Sequence, residues 1–122
     1  MAEYGKKTWL IPDGYYDSQF VKQVSHDAVC VLNTTEKDAT IKMTLFFEDR
    51  EEMGGFEAKC GARRTHHIRM DKIKSIDGKS VPTDTPYAIL VESDVPVVVQ
   101  YSRLDTAQEA LALMTTIAYA VD

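Results

Sequence analysis

No apolar run in this chain approaches the ~18 residues that a membrane-spanning helix needs. Catalytic signatures are missing as well: there is no Gly-x-Ser-x-Gly elbow, no glycine-rich phosphate loop, no paired histidines at helical spacing and no nucleophile beside a base. The sequence therefore reads as that of a protein with no catalytic residues and no cofactor. Cysteine is scarce. Cys30 and Cys60 both fall in strand-like stretches, and a reducing compartment makes them buried thiols rather than a disulfide. An excess of positive charge is lacking too: 14 Lys and Arg against 19 Asp and Glu give a net charge of −5. Affinity for nucleic acid scales with neutralised phosphates, so this balance makes nucleic acid an unfavoured partner. The opening Met-Ala-Glu-Tyr-Gly-Lys-Lys has no apolar core behind its lysines, so it does not read as a signal peptide, and the protein is expected in the cytoplasm.

What is present is an ordinary globular composition, 44% hydrophobic and 27% charged over 122 residues. A chain of this size buries roughly two-thirds of the surface its unfolded form exposes, so residues 1–122 are expected to form one domain. The charge is uneven: between Glu57 and Lys74 lie Lys59, Arg63, Arg64, Arg69, Lys72 and Lys74 against only Glu57 and Asp71. Such a basic band on an acidic body suits an anionic ligand, a complementary subunit or a specific partner.

The chain is organised around Ser93 to Asp105. Pro96 suits a strand mouth, and Val97, Val98 and Val99 favour extended backbone. Alternation puts Val97, Val99, Tyr101 and Arg103 on one face and Val98, Gln100, Ser102 and Leu104 on the other, each face apolar first and polar at its end. The clearest half-buried strand is Ala39 to Glu48, with Ile41, Met43, Leu45 and Phe47 inward. Thr8–Ile11, Ala28–Thr34, Phe56–Cys60, Ala62–Met70 and Tyr87–Glu92 read as further strands, the Ala28–Thr34 run as one covered on both faces. Ser93-Asp94-Val95-Pro96 reads as a tight turn that makes a hairpin of its flanking strands. Asp105 can cap a short helix over Thr106 to Met114, before β-like alternation resumes at Thr115 to Val121. The fold class that follows is all-β, an antiparallel, jelly-roll-like β-sandwich with one short C-terminal helix.

Several stretches taken together resemble the sensory rhodopsin transducer family. They are Trp9-x-Ile11-x-x-Gly14, Ser25-His26-Asp27-x-Val29-Cys30-Val31-Leu32-Asn33, Ala62-Arg63-Arg64-Thr65-x-His67-Ile68-Arg69, Val95-Pro96-Val97-Val98-Val99-Gln100-x-x-Arg103-Leu104-Asp105 and Thr116-Ile117-Ala118-Tyr119-Ala120. The resemblance implies a β-sandwich subunit in a homotetramer, with a signalling or small-molecule-binding role, a sugar-like ligand and a membrane sensory rhodopsin as possible partners, and no established catalysis. Asp27 stands where the family more often has Glu, and His66 where the rhodopsin's transducer carries Lys.

Candidate site residues follow from side-chain chemistry. Arg103 offers a planar fork for a carboxylate, a phosphate or vicinal hydroxyls; Asp105 accepts from hydroxyls, and Gln100 lies nearby. The alternative is that Asp105 caps a helix and Arg103 pairs with a neighbouring carboxylate. In the basic band, Arg63, Thr65, His67 and Arg69 form a cationic ladder that needs a counter-charge, with Arg64 on the other face. Trp9 and Tyr101 offer flat surface for a sugar ring, although aromatic residues in strands more often belong to a core or an interface. His26 beside Asp27 suits a ligand or a structural hydrogen bond. The candidate binding set is thus Arg103, Asp105, Gln100, Arg64, His67, Trp9 and His26. Zinc is not expected, because His66 and His67 point to opposite faces of a strand. Two competing functions are a sugar- or polyol-processing enzyme using His26 or His67, and DNA binding through the basic band.

Overall fold

The structure, a computed structural model, describes residues 4–18, 25–105 and 112–121. Eight strands follow one another: β1 (Lys6–Gly14), β2 (His26–Asn33), β3 (Ala39–Phe46), β4 (Met53–Cys60), β5 (Arg64–Arg69), β6 (Tyr87–Asp105), β7 (Ala112–Ile117) and β8 (Tyr119–Ala120). All pairings are antiparallel. One sheet runs β4-β3-β6-β1-β8; the other places β2 and β7 on either side of β6, with β5 outside β2. The two sheets enclose a single core that includes Trp9, Ile41, Leu45, Phe56, Ile89 and Tyr101. The expected antiparallel sandwich is the architecture observed.

β6 belongs to both layers. Its first part, through Ser93, pairs with β3 and β1; its second part, from Val98, pairs with β2 and β7. The expected hairpin is therefore wrong, because Ser93–Pro96 does not reverse the chain: it lies inside one strand of 19 residues. Turn-favouring residues serve equally well where a strand bends to change sheets. The register shows the bend: Lys6 faces Val97 and Thr8 faces Glu92, so two residues along β1 span five along β6. Pro96, with no N–H to pair, falls in that skipped stretch. Two neighbours hold the bend. The Trp9 indole Nε1 donates to the carbonyls of Val97 (3.1 Å) and Lys6 (3.0 Å). Gly5 has φ +92° and approaches so closely that a Cβ there would lie 2.1 Å from the Val97 carbonyl oxygen.

The alternation expected in β3 holds, with Ile41, Met43 and Leu45 buried. In β2, Asp27, Val29, Val31 and Asn33 face inward. Its outer face is only partly covered, since Leu32 is 45% exposed, which corrects the doubly covered reading. β5 is an edge strand exposed over its first four positions, and Arg63 sits before it in a left-handed turn (φ 57°), outside the expected ladder. The expected helix over Thr106–Met114 is not observed. Ala112–Met114 belong to β7, whose ladder with Leu104, Arg103 and Asp105 overrides their helical propensity, and residues 106–111 lie outside the described residues. No helix among the described residues is long and apolar enough to cross a membrane.

Candidate ligand-binding site

The polar end of β6 meets the start of β2, and there Asp27 stands directly opposite Arg103. Directly opposed residues share a face, so both project inward, as the parity of Val97, Val99, Tyr101 and Arg103 predicts. Asp27 is completely buried. Its Oδ2 accepts hydrogen bonds from the hydroxyls of Tyr101 (2.6 Å) and Tyr87. The Tyr15 backbone N–H donates to the Tyr101 hydroxyl at 3.0 Å, which leaves the phenolic proton for Asp27. Asp27 Oδ1 has no partner among the described residues. Burial pushes the Asp27 carboxyl above the usual carboxylate range, against the opposing pull of the two tyrosine hydrogen bonds and Arg103. Burial, and then the negative charge of Asp27, push the Tyr87 and Tyr101 hydroxyls up as well.

Arg103 lies against this network, beside Tyr101. Its Nε and Nη2 are shielded from solvent and have no hydrogen-bond partner. The Asp13 carboxylate lies 3.6 Å from Nη2, too far for a hydrogen bond, on a side chain that is 77% exposed. The guanidinium carbon sits 5.8 Å from the ring centres of both Tyr15 and Tyr101. Arg69 shows what the same edge does when filled: its Nε and Nη2 each reach an oxygen of Asp71 at 2.8 Å. The counter-charge expected over the basic band is, at this position, the chain's own aspartate.

Beside Arg103 is a hollow of about 170 Å³ lined by Tyr15, Tyr16, Asp17, Ser25, Arg103 and Leu104. Its aromatic wall is fixed from the loop that precedes β6. The Tyr16 hydroxyl donates to the Val81 carbonyl (2.6 Å), the Asp84 N–H donates to the Tyr16 carbonyl (2.8 Å), and the Asp84 carboxylate accepts from the Ser18 N–H (2.9 Å). A broader groove of about 400 Å³ runs past Pro12, Asp13, Phe46, Phe47, Glu48 and Tyr87, but its only charged groups are two carboxylates. The smaller hollow is the better candidate, because it joins aromatic walls to a guanidinium.

The remaining sequence candidates scatter. Trp9 is 5% exposed, part of the core, with its indole spent on the bend of β6. Gln100 and His67 lie on the outer face of the second sheet, in one row with Cys30 between them. His26, half-buried, is on that face as well, opposite Leu104. Arg64 is exposed and donates to the Arg63 carbonyl at 3.2 Å. Asp105 pairs with Ala112 through the backbone, and its side chain is outside the described residues. Of the seven, Arg103 lines the hollow. Sequence reading passed over Asp27, Tyr15, Tyr16, Asp17 and Ser25; for Asp27 the signal was available, since a charged residue stood at the parity of Val29 and Val31. Among the described residues no group of three or more His, Cys, Asp or Glu is arranged to hold a metal ion.

Comparison with known proteins agrees with the architecture. The solved structure of Thermotoga maritima 1070 is similar, with a TM-score of 0.87 and 37% identity over 98% of this chain and 97% of that one. The Anabaena sensory rhodopsin transducer superposes with a TM-score of 0.75 and 32% identity, covering 83% of this chain and 99% of that one. No curated protein matches the sequence. A family model described as the Anabaena sensory rhodopsin transducer matches residues 4–120, and the chain belongs to that family.

Proposed function

We propose that this protein is a non-catalytic cytoplasmic signalling subunit that binds a small polar ligand in the hollow beside Arg103. The observation that carries this reading is Arg103 in the wall of a preformed, tyrosine-lined hollow, with its Nε and Nη2 buried behind that wall without a hydrogen-bond acceptor. A buried donor without a partner is costly, and an incoming oxygen acceptor repays that cost. The ligand belongs to the polar class, sugar-like or anionic, that a guanidinium recognises. The rigid tyrosine wall gives the site its shape, and the β6–β7 ladder, which pairs Arg103 with Met114, connects it to the C-terminal strands.

Kinship to a sensory rhodopsin transducer supports signalling through a partner, with a membrane sensory rhodopsin as the first candidate. The subunit assembles as a homotetramer. Supporting this are Leu113, Ile117, Tyr119 and Val121, large apolar side chains 52–71% exposed along β7 and its C-terminal continuation.

A thermal-shift screen of sugars, sugar acids, carboxylates and phosphates tests the ligand reading. A ligand that raises the melting temperature of the parent protein but not of the Arg103→Gln variant is the expected result. Equal stabilisation of both proteins would move the binding site elsewhere.

A further inference from the structure

We infer that the broad groove beside Phe46 is the docking surface for a basic, apolar-bearing segment of a partner protein, the kind of chain that forms the cytoplasmic loops of a membrane protein. The inference rests on the reading of signalling through a partner, deepens it, and makes no use of the Arg103 hollow. The groove, about 400 Å³, runs between the end of β1, the end of β3 and the start of β6. It adjoins a second hollow of about 340 Å³, with Glu48 and Pro86 in the walls of both. Phe46 stands 39% exposed in it, opposite Ala88. Further along the same outer face Leu90 faces Leu10, which is 38% exposed, so apolar surface continues beyond the groove.

Charge selects the guest. Asp13, Glu48, Asp49 and Asp84 stand around the two hollows against a single cation, Arg50. That cation is already engaged: its Nε lies 3.0 Å from the Asp49 carboxylate, and its guanidinium sits 5.2 Å from the centre of the Phe47 ring. Asp13 lies 3.6 Å from Arg103, and Asp84 accepts from the neutral Ser18 N–H. Glu48 is exposed, and none of the ion pairs among the described residues includes it. Such a trough repels acidic peptides and the anionic headgroups of a cytoplasmic leaflet alike. Cytoplasmic loops of membrane proteins, by contrast, carry an excess of Lys and Arg. The neighbouring Arg50 displays the chemistry involved, a guanidinium over a phenylalanine ring with a carboxylate beside it. A guest Lys or Arg would repeat that arrangement on Phe46 and Glu48, with its apolar neighbours on the rest of the face.

Isothermal titration at about 0.1 M salt, where distant surface charges are largely screened, tests the groove. The probes are short capped peptides that alternate Arg with Leu, Arg with Ser, and Glu with Leu. The Arg-Leu peptide should bind the parent protein and the Glu-Leu peptide should not. Exchanging its leucines for serines, Glu48→Lys and Phe46→Ser should each weaken binding by about tenfold or more. Glu57→Lys makes the same charge change in the separate groove shared with Lys42 and Glu92, and should alter affinity far less. All three substituted side chains are exposed, and an unchanged melting temperature checks that each variant folds. Silence from the Arg-Leu peptide, binding that survives Glu48→Lys and Phe46→Ser, or an equal loss in Glu57→Lys overturns the groove. So does a smaller assembly of Glu48→Lys in light scattering, which would give the groove to a second copy of this chain. Co-sedimentation with neutral-lipid vesicles bearing a sensory rhodopsin, cytoplasmic face outward, separates the two readings. Pelleting of the parent but not of Glu48→Lys is the expected result. Equal pelleting of both overturns the groove and leaves signalling through a partner standing, whereas a parent that stays in solution counts against that partner and leaves the peptide result to judge the groove.

Discussion

Asp27 and Arg103 face each other across the β2–β6 ladder and are not ion-paired: Asp27 gives its Oδ2 to two tyrosine hydroxyls, while Arg103 leans toward the distant Asp13. Burial, which disfavours the charged carboxylate, outweighs the two tyrosine hydrogen bonds and Arg103, which favour it, and so biases the Asp27 carboxyl above the usual carboxylate range.

This bias has a pH signature. The folded-state pKa of Asp27 is raised above its unfolded value, so its contribution to stability is fully present below the unfolded value and is lost as pH rises through the folded one. Within that window the slope is about 1.4 kcal/mol per pH unit. Asp27→Asn removes it. Urea unfolding from about pH 4 upward should show the variant gaining stability relative to the parent as pH increases, with a constant difference contradicting the raised pKa.

Tyr101 links the loop to the carboxyl, accepting from the Tyr15 N–H and donating to Asp27. Tyr101→Phe keeps the ring and removes both bonds, leaving buried polar groups unsatisfied. A loss of about 1–3 kcal/mol by denaturant unfolding is expected. In a double-mutant cycle the loss should shrink when Asp27 is already Asn or Ala, and strict additivity would mean that the two side chains are not coupled.

The bend in β6 depends on β1. Gly5→Ala would place a methyl group 2.1 Å from the Val97 carbonyl oxygen at a positive φ, so destabilisation well above about 1 kcal/mol is expected. Trp9→Phe should cost about 1–3 kcal/mol through the loss of its indole donor to Val97. Unchanged stability in both variants would mean that the bend holds itself.

The exposed apolar residues near the C-terminus predict assembly. Ile117, 62% exposed on the outer face of β7, lies opposite Gln100. Light scattering should find a tetramer in the parent protein and smaller species after Ile117→Lys, since an unpaired charge in an apolar interface is strongly disfavoured. A monomeric parent would remove the proposal.

Much of the framework was legible because strand parity is a local property. The alternation of β3 and the inward run Val97, Val99, Tyr101 and Arg103 are encoded in neighbouring residues and appear as read. What escaped depends on contacts distant in sequence. Ser93–Pro96 carries the composition of a turn, and only the flanking pairs with β1, β2 and β3 show it to be a bend inside one strand. Ala112–Met114 are good helix formers drawn into a ladder by β6. Arg103 was found from its chemistry and its parity together. Its companions Tyr15, Tyr16 and Asp17 reach it because hydrogen bonds to Val81 and Asp84 hold their loop, a partnership no local pattern announces. Gln100 is close to Arg103 in sequence, but parity assigns it to the opposite face.

The most direct test is a titration of isotopically labelled protein followed by amide resonances, using the tightest ligand from the screen. The account predicts saturable shifts concentrated at Tyr15, Tyr16, Ser25 and Leu104, and their disappearance in Arg103→Gln. Shifts centred instead on His67, Cys30 and Gln100, or shifts that persist without the guanidinium, would contradict it.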